Sequence, residues 1–266
     1  MEKQNAAGDS PGPRRRPLLA VSATRVERLT PRVAGVTFTG DALASFEAPR
    51  PGAHMKLFFP PSGWQPPEPG REAEAKRPPS RTYTPLRWNP ARRELDVEFV
   101  LHGDGLASCW AERAKPGSSL YVAGPGGGFD VPALPAHLVL VADDTAMPAA
   151  GTILEALSPQ HTATLICAVR DDMEERAFAR TPHTPQWLHF GKKPGSAGVL
   201  LERAVLDMAE RHADSHWWIA CEAGAMRRIR KHLLGERRID PARVHTRGYW
   251  KLGETNYPDH DYGKDA

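Results

Sequence analysis

Between Leu95 and Leu101 the chain alternates. Leu95, Val97, Phe99 and Leu101 are apolar, with Asp96, Glu98 and Val100 between them. A period of two marks a strand with one buried face. Further strand segments are predicted at 18–29, 33–39, 55–60, 81–88 and 118–123, separated by proline and glycine turns such as Lys115-Pro116-Gly117. One short helix is expected near 105–114, and Pro60 to Ser80, rich in proline, glycine and charge, reads as a long surface loop. About six short strands with one helix predict a small closed antiparallel barrel over residues 18–133.

After Pro135 the pattern changes. His137 to Val141 is an apolar strand, and Ala146 to Leu157 a helix with Pro148 in its first turn, where the missing N–H costs nothing. Strands follow at 162–169, 186–190 and 217–221, with helices at 199–212 and 223–234. Strands alternating with helices predict a doubly wound parallel sheet, of the nucleotide-binding type, over 134–244. The fold class is therefore α/β plus β, with the barrel first and the parallel sheet second. Residues 1–17 are polar and rich in Gly, Pro and Arg, and are expected to form a disordered tail. Residues 245–266 form a separate C-terminal segment.

Composition narrows the function classes. A net charge of +3, evenly spread, gives no footprint for nucleic acid. Cys109, Cys167 and Cys221 lie far apart without a C-x-x-C pair, which argues against a disulfide framework or structural zinc and for a reducing, cytoplasmic setting. No apolar run reaches the roughly 20 residues that span a bilayer, so no membrane insertion is expected. The stretch from Pro13 to Val21 imitates a twin-arginine signal, but Arg25, Glu27 and Arg28 interrupt it.

The segment Arg81-Thr82-Tyr83-Thr84 is the richest in chemistry. On a strand, Arg81 and Tyr83 share one face, and Thr82 and Thr84 the other. A guanidinium can hold a pyrophosphate, a phenol ring can stack on a planar ring system, and a hydroxyl can bond a ring nitrogen. Downstream, Phe99-Val100-Leu101-His102-Gly103-Asp104-Gly105 leads into a helix whose first turn carries Ala107 and Ser108. Free amides at a helix start, with a hydroxyl, suit a phosphate. Arg81 and this helix start can grip one pyrophosphate from two sides.

Arg-x-Tyr-Thr, then F-V-L-H-G-x-G-x-A-S-x-W-A, then G-P-G-G resemble the flavin-binding half of the siderophore-interacting protein family. These are ferric-siderophore reductases related more distantly to ferredoxin–NADP reductases. The resemblance continues through Asp143-Asp144-Thr145-Ala146-Met147-Pro148, through Cys221 to Ala225, through Arg247-Gly248-Tyr249-Trp250-Lys251-Leu252-Gly253, and to Pro258-Asp259-His260-Asp261-Tyr262-Gly263. It covers nearly everything after residue 18.

The resemblance implies FAD as cofactor, NADPH or NADH as electron donor and a ferric siderophore as substrate. It places FAD on Arg81, Tyr83 and Thr84, with Tyr83 against the flavin and Thr84 near its N5 edge. Phe99, Val100 and Leu101 offer backbone to the ring, and His102, Ala107 and Ser108 serve the ribityl and phosphate portion. Thr145 and Trp250 complete the cofactor set, and the segment from 245 returns toward the flavin. Arg170, Glu222 and Arg227 are the NAD(P)H candidates. Lys56, Arg247 and Lys251 are the substrate candidates, since ferric catecholates are anionic. Iron is then a substrate, and no resident metal is expected.

Three departures bear on this reading. Leu86 lies where relatives often carry a second arginine, although Arg87 follows directly. The loop Gly124-Pro125-Gly126-Gly127-Gly128-Phe129 fails as a dinucleotide fingerprint, because Phe129 takes the third glycine position and no helix follows; it reads as a barrel-to-sheet crossover. Asp143 and Asp144 stand where ferredoxin reductases place glycines around a pyrophosphate, and carboxylates there are expected to weaken nucleotide binding. His212 and His216 have metal-ligand spacing but no third ligand. Two rival functions stay open: a flavin reductase served by ferredoxin or another partner, and a non-catalytic ferric-siderophore carrier. A monomer is expected.

Overall fold

A computed structural model describes residues 16–67, 76–178, 185–193, 195–257 and 261–263. The expected tail therefore lies almost wholly outside the described residues, as does part of the 60–80 loop.

Seven strands build the first sheet: β1 (Leu19–Thr30), β2 (Val33–Thr39), β3 (His54–Phe58), β4 (Ser80–Tyr83), β5 (Arg87–Asn89), β6 (Glu94–Val100) and β7 (Ser119–Gly126). All pairs are antiparallel, in the order β4-β3-β7-β1-β2-β6-β5. The predicted strand 81–88 is thus two strands, and they stand at opposite ends of this order. Pro85 separates them, because proline has no N–H for a ladder. Only residues 84–86 carry the chain from one end of the sheet to the other, which curls the sheet into a barrel. Leu86 continues the join by donating its N–H to the Asp96 carbonyl at 3.0 Å.

The alternation in β6 is realised: Leu95, Val97 and Phe99 are buried in the barrel core, and Leu101 follows them. Helix α1 (Leu106–Arg113) packs against this core. Trp110 stacks on Phe38 at 5.8 Å and lies 5.6 Å from Phe99, with Phe59 at 5.9 Å. Burying each such ring typically contributes about 1.5–3 kcal/mol, so α1 is held by its tryptophan against three barrel phenylalanines.

The second sheet is parallel throughout, in the order β10-β9-β8-β11-β12, from β8 (His137–Asp143), β9 (Thr162–Val169), β10 (Gln186–His189), β11 (His216–Glu222) and β12 (Val244–Trp250). In β8, Leu138, Leu140 and Ala142 meet helix α2 (Met147–Glu155). Val139 and Val141 face the other way, toward α3 (Ser196–Met208) and α4 (Ala223–Lys231). Helices therefore cover both faces, as the buried apolar strands require. The segment set apart by sequence from residue 245 begins inside β12, the fifth strand. Helix α3 starts three residues earlier and ends four residues earlier than expected, and α4 closes in a single π turn at His232–Glu236. No helix among the described residues is long and apolar enough to cross a membrane.

Candidate functional site

Tyr83 closes the barrel strand β4 with its ring 4.6 Å from Phe99, and burial pushes its hydroxyl well above the usual tyrosine range. Thr84 follows it, buried, and hydrogen-bonds the Tyr249 hydroxyl near the end of β12. Burial moves Tyr249 up to about 12. This contact brings the Arg-x-Tyr-Thr strand against the carboxyl ends of the parallel strands. Arg81 donates to the Ser80 carbonyl at 2.8 Å and to Asn256 at 3.3 Å, so the C-terminal segment touches the same strand.

At the start of α1, Gly105 supplies no side-chain cap, which leaves the first-turn amides to an anion. The His102 ring lies over Gly105, where a Cβ would come within 2.5 Å of it. Ser108 is fully buried and accepts the His102 N–H at 3.0 Å. Its hydroxyl thus shapes the turn, while Ala107, also buried, keeps the helix start small. The guanidinium on β4 and the uncapped, small-residue start of α1 are each of the chemistry that suits an FAD pyrophosphate. Val100, at the end of β6, is partly exposed between buried Phe99 and Leu101.

The loop after β8 is organised by Asp143, which is 1% exposed. Its carboxylate accepts from the Thr145 hydroxyl at 2.5 Å, the Thr145 N–H at 3.1 Å and the Trp250 indole N–H at 2.8 Å. Burial pushes this carboxyl up, and these hydrogen bonds pull it back. Far from facing a ligand phosphate, Asp143 is occupied by the protein's own donors. Asp144 is pushed up to about 7 by burial and by Asp143, against the pull of Arg32 and Arg176. Arg176 crosses to the barrel and pairs with Glu98 of β6 at 2.6 Å, with both side chains largely buried. Thr30 and Glu174 make a second short contact between the two sheets' domains.

The nicotinamide candidates separate. Arg170, after β9, lies 3.9 Å from Asp171 and is partly exposed. Glu222 caps α4 by accepting the Ala225 N–H at 2.8 Å, and Arg227 is tied to Asp261 at 2.9 Å and the Tyr257 hydroxyl at 3.2 Å. Glu222 and Arg227 therefore have structural partners already.

The substrate candidates also separate. Lys56 is exposed on β3, paired in register with Thr82 and Ala123. Arg247 is 7% exposed, lies 3.0 Å from His54 and stacks near Tyr249 and Tyr262. His54 and Lys56 share a strand face, so Arg247 reaches the face that carries Lys56. Lys251 instead pairs with Glu254 at 2.5 Å and lies 5.9 Å over Tyr257.

Sequence reasoning passed over Tyr249, His54, Arg176 and Asp261. Tyr249 and Asp261 lie inside quoted motifs, and nothing in spacing alone assigns any of the four its partner. His212 lies beyond α3 and stacks on His137 at 4.9 Å, and no group of three metal-ligand side chains occurs among the described residues. Cys221 is fully buried, and that burial raises its thiol well above the usual range.

Known proteins resemble this chain over most of its length. A family model described as Siderophore-interacting FAD-binding domain matches residues 22–129, and one described as Siderophore-interacting protein matches 135–253. The NADPH-dependent ferric-chelate reductase of Escherichia coli (strain K12) is 33% identical over 242 residues, covering 86% of this chain and 91% of that protein. The ferric vibriobactin reductase ViuB of Vibrio cholerae is 30% identical over 236 residues, 85% of this chain and 86% of that protein. A siderophore utilization protein from T. fusca superposes with a TM-score of 0.79 at 31% identity, over 93% of this chain and 98% of that one. The ferredoxin-NADP+ reductase of Plasmodium falciparum shares the fold, with a TM-score of 0.64 at 12% identity over 87% and 96%. The chain belongs to the siderophore-interacting protein family, with that family's FAD-binding domain preceding a parallel-sheet domain on the fold of ferredoxin-NADP+ reductase.

Proposed function

We propose that this protein is an FAD-dependent reductase that carries electrons from NADPH or NADH to Fe(III) in a siderophore and releases Fe(II). The carrying observation is the Thr84–Tyr249 hydrogen bond, which joins the cofactor strand to the carboxyl ends of the parallel sheet. Ligands of open α/β sheets bind at those ends. The names of the Escherichia coli and Vibrio cholerae relatives support the same reaction.

FAD, when bound, accepts a hydride from a nicotinamide and delivers single electrons to iron. The chain's residues supply position and charge. Arg81 and the uncapped start of α1 hold the pyrophosphate, Tyr83 lines the ring site, and Thr84, Thr145 and Trp250 border it. Arg170 is the assigned partner of a ribose 2′-phosphate, with Glu222 and Arg227 framing the donor side. Lys56 and Arg247 attract an anionic ferric complex, and Lys251 lies beyond them on the C-terminal segment. Reduction loosens the complex, because Fe(II) carries less charge for the hard oxygen ligands. Cys109, Cys167 and Cys221 are all free thiols, which supports a cytoplasmic setting.

Anaerobic titration of the FAD-loaded protein with NADPH and with NADH tests the donor. Loss of the oxidised-flavin absorption with either supports the reading. Unchanged absorption with both, followed by bleaching with reduced ferredoxin, overturns the nicotinamide assignment.

A further inference from the structure

The outer face of β3 changes character along its length. His54, Lys56 and Phe58 alternate onto that face, while Met55 and Leu57 point into the barrel core. Lys56 is flanked in register by Thr82 on β4 and by the small Ala123 on β7. One step further, about 7 Å along a strand, Phe58 is paired with Tyr121 of β7. Beyond β3 the chain turns back at Pro61-Ser62-Gly63-Trp64, where Trp64 donates its N–H to the Pro61 carbonyl at 3.1 Å. Gly63 has φ +79°, which glycine adopts freely at the third residue of such a turn. The turn sets the Trp64 indole against the Tyr121 ring, with centroids 5.2 Å apart and planes at 76°. Both residues are half-buried. From the other end of the same long loop, the Arg77 guanidinium lies 5.6 Å over Phe58 and donates to the Arg16 carbonyl at 2.5 Å. Toward β1, Tyr121 borders a hollow of about 280 Å³ walled by Ser22, Thr39 and Ser119, so the ring looks onto open space on that side.

We propose that Trp64 and Tyr121, with Lys56 and Arg77 beside them, form a subsite for an aryl ring of the ferric siderophore, so that the protein selects catecholate complexes over equally charged aliphatic ones. The inference rests on the ferric-siderophore reading above and names the substrate class within it. Two rings at a steep angle make a corner. A third planar ring entering the corner stacks on one and meets the other edge to face, and both arrangements are favourable for aromatic pairs. The two cations suit the same ligand, because a catecholate complex carries its negative charge on the oxygens next to the ring. The spacing also suits a single bound complex. Thr84, which meets Tyr249, lies two residues beyond Thr82, so the Lys56–Thr82 row stands one strand step, about 7 Å, from it. The aromatic corner stands one step beyond that row. A complex centred over Lys56 therefore presents its iron toward the Thr84 end and one outward ring toward the corner. An aliphatic carboxylate complex has no ring to place there and is held by charge alone.

Gallium(III) complexes report binding without turnover, because a flavin does not reduce gallium. The experiment is calorimetric titration of the FAD-loaded protein with two trianions. One is the gallium complex of a hexadentate tris-catecholamide, with three aryl rings, and the other is tris(oxalato)gallium, with none. Their charges are equal, so Lys56 and Arg77 act on both alike. Trp64→Leu keeps an apolar side chain and removes the aromatic face, and Trp64→Phe keeps a ring. In the unmodified protein the catecholate complex should bind the more tightly. Trp64→Leu should bind it about ten-fold more weakly, the loss of one ring contact and the area it covers, and should bind tris(oxalato)gallium as before. Trp64→Phe should recover most of the loss, and Tyr121→Leu should reproduce it. FAD content should be unchanged throughout, since neither ring lies on the cofactor strand. If Tyr121→Leu does not fold, the two Trp64 variants decide. Equal weakening of both trianions in Trp64→Leu, or weakening of neither, overturns the aryl subsite and leaves the ferric-siderophore reading standing. Failure of both complexes to bind the unmodified protein overturns that reading and the subsite with it.

Discussion

Arg247, on the edge strand of the parallel sheet, lies 3.0 Å from Nδ1 of His54 on barrel strand β3. The guanidinium is buried and stacks near the rings of Tyr249 at 5.8 Å and Tyr262 at 6.0 Å. The glycine crossover passes close to the same imidazole. Gly127 has φ +63°, and a Cβ there would come within 2.7 Å of the imidazole. Barrel, crossover and sheet thus meet around one histidine–arginine pair. Lysine cannot replace this arginine, because it keeps the charge but loses the flat, stacking fork. Arg247→Lys should destabilise the protein by about 1–3 kcal/mol, read as a fall in the thermal midpoint. An unchanged midpoint contradicts the role given to the pair.

Flavin affinity should depend on Arg81. Arg81→Ala removes a charge-assisted contact to the pyrophosphate, and FAD should bind about ten- to a hundred-fold more weakly. Loss of the Asn256 contact alone would leave the dissociation constant near its original value. Equilibrium titration of apoprotein with FAD distinguishes the two, and an unchanged constant removes Arg81 from the phosphate site.

Lys56 should act through charge. It is exposed and shares its strand face with His54, which contacts Arg247. Lys56→Ala should slow reduction of an anionic ferric catecholate several-fold while FAD content is retained, and the deficit should shrink for a neutral ferric hydroxamate. Added salt should narrow the gap between the two proteins, since exposed charges are screened over about 8–10 Å. Equal slowing with both complexes at every salt concentration would mean that Lys56 shapes the barrel and does not attract the substrate.

Asp144 should make stability fall as pH rises. Its carboxyl stands at about 7 in the folded protein, raised by burial and by Asp143 from an ordinary value of 3.8. Between these values the folded state holds a proton that the unfolded state has lost. The contribution of the protonated group is fully present below the unfolded pKa and is lost as pH rises through 7. Asp144→Asn cannot ionise. Its thermal midpoint relative to the original protein should therefore climb from pH 5 to about pH 7 and level off above it. A difference that stays flat or shrinks over that range contradicts the buried-carboxyl account.

Much of this architecture was legible in local pattern. The alternation from Leu95 to Leu101 and the apolar run of β8 each name a strand, because burial on one face or two leaves that signature. The Arg-x-Tyr-Thr and helix-start motifs could be read because each is one contiguous stretch of chain. What escaped was contact between elements distant in the chain. Thr84 with Tyr249, His54 with Arg247, and Arg176 with Glu98 join residues that no spacing relates. The break at Pro85 was visible as a proline, but only sheet order shows that it closes a barrel. Asp143 is legible in sequence as a carboxylate that weakens nucleotide binding, but its contacts to Thr145 and Trp250 are not, since sequence gives a side chain's charge and not its direction.

The most direct test of the central claim is a single anaerobic turnover. The FAD-loaded protein is reduced with dithionite, freed of excess reductant, and mixed with a ferric catecholate siderophore in the presence of a ferrous trap. The account predicts rapid return of the oxidised-flavin absorption together with about two ferrous ions trapped per flavin, the electron balance of a two-electron cofactor serving a one-electron acceptor. Reduced flavin that persists with the ferric siderophore bound, and no trapped Fe(II), would contradict the account and mark the protein as a carrier.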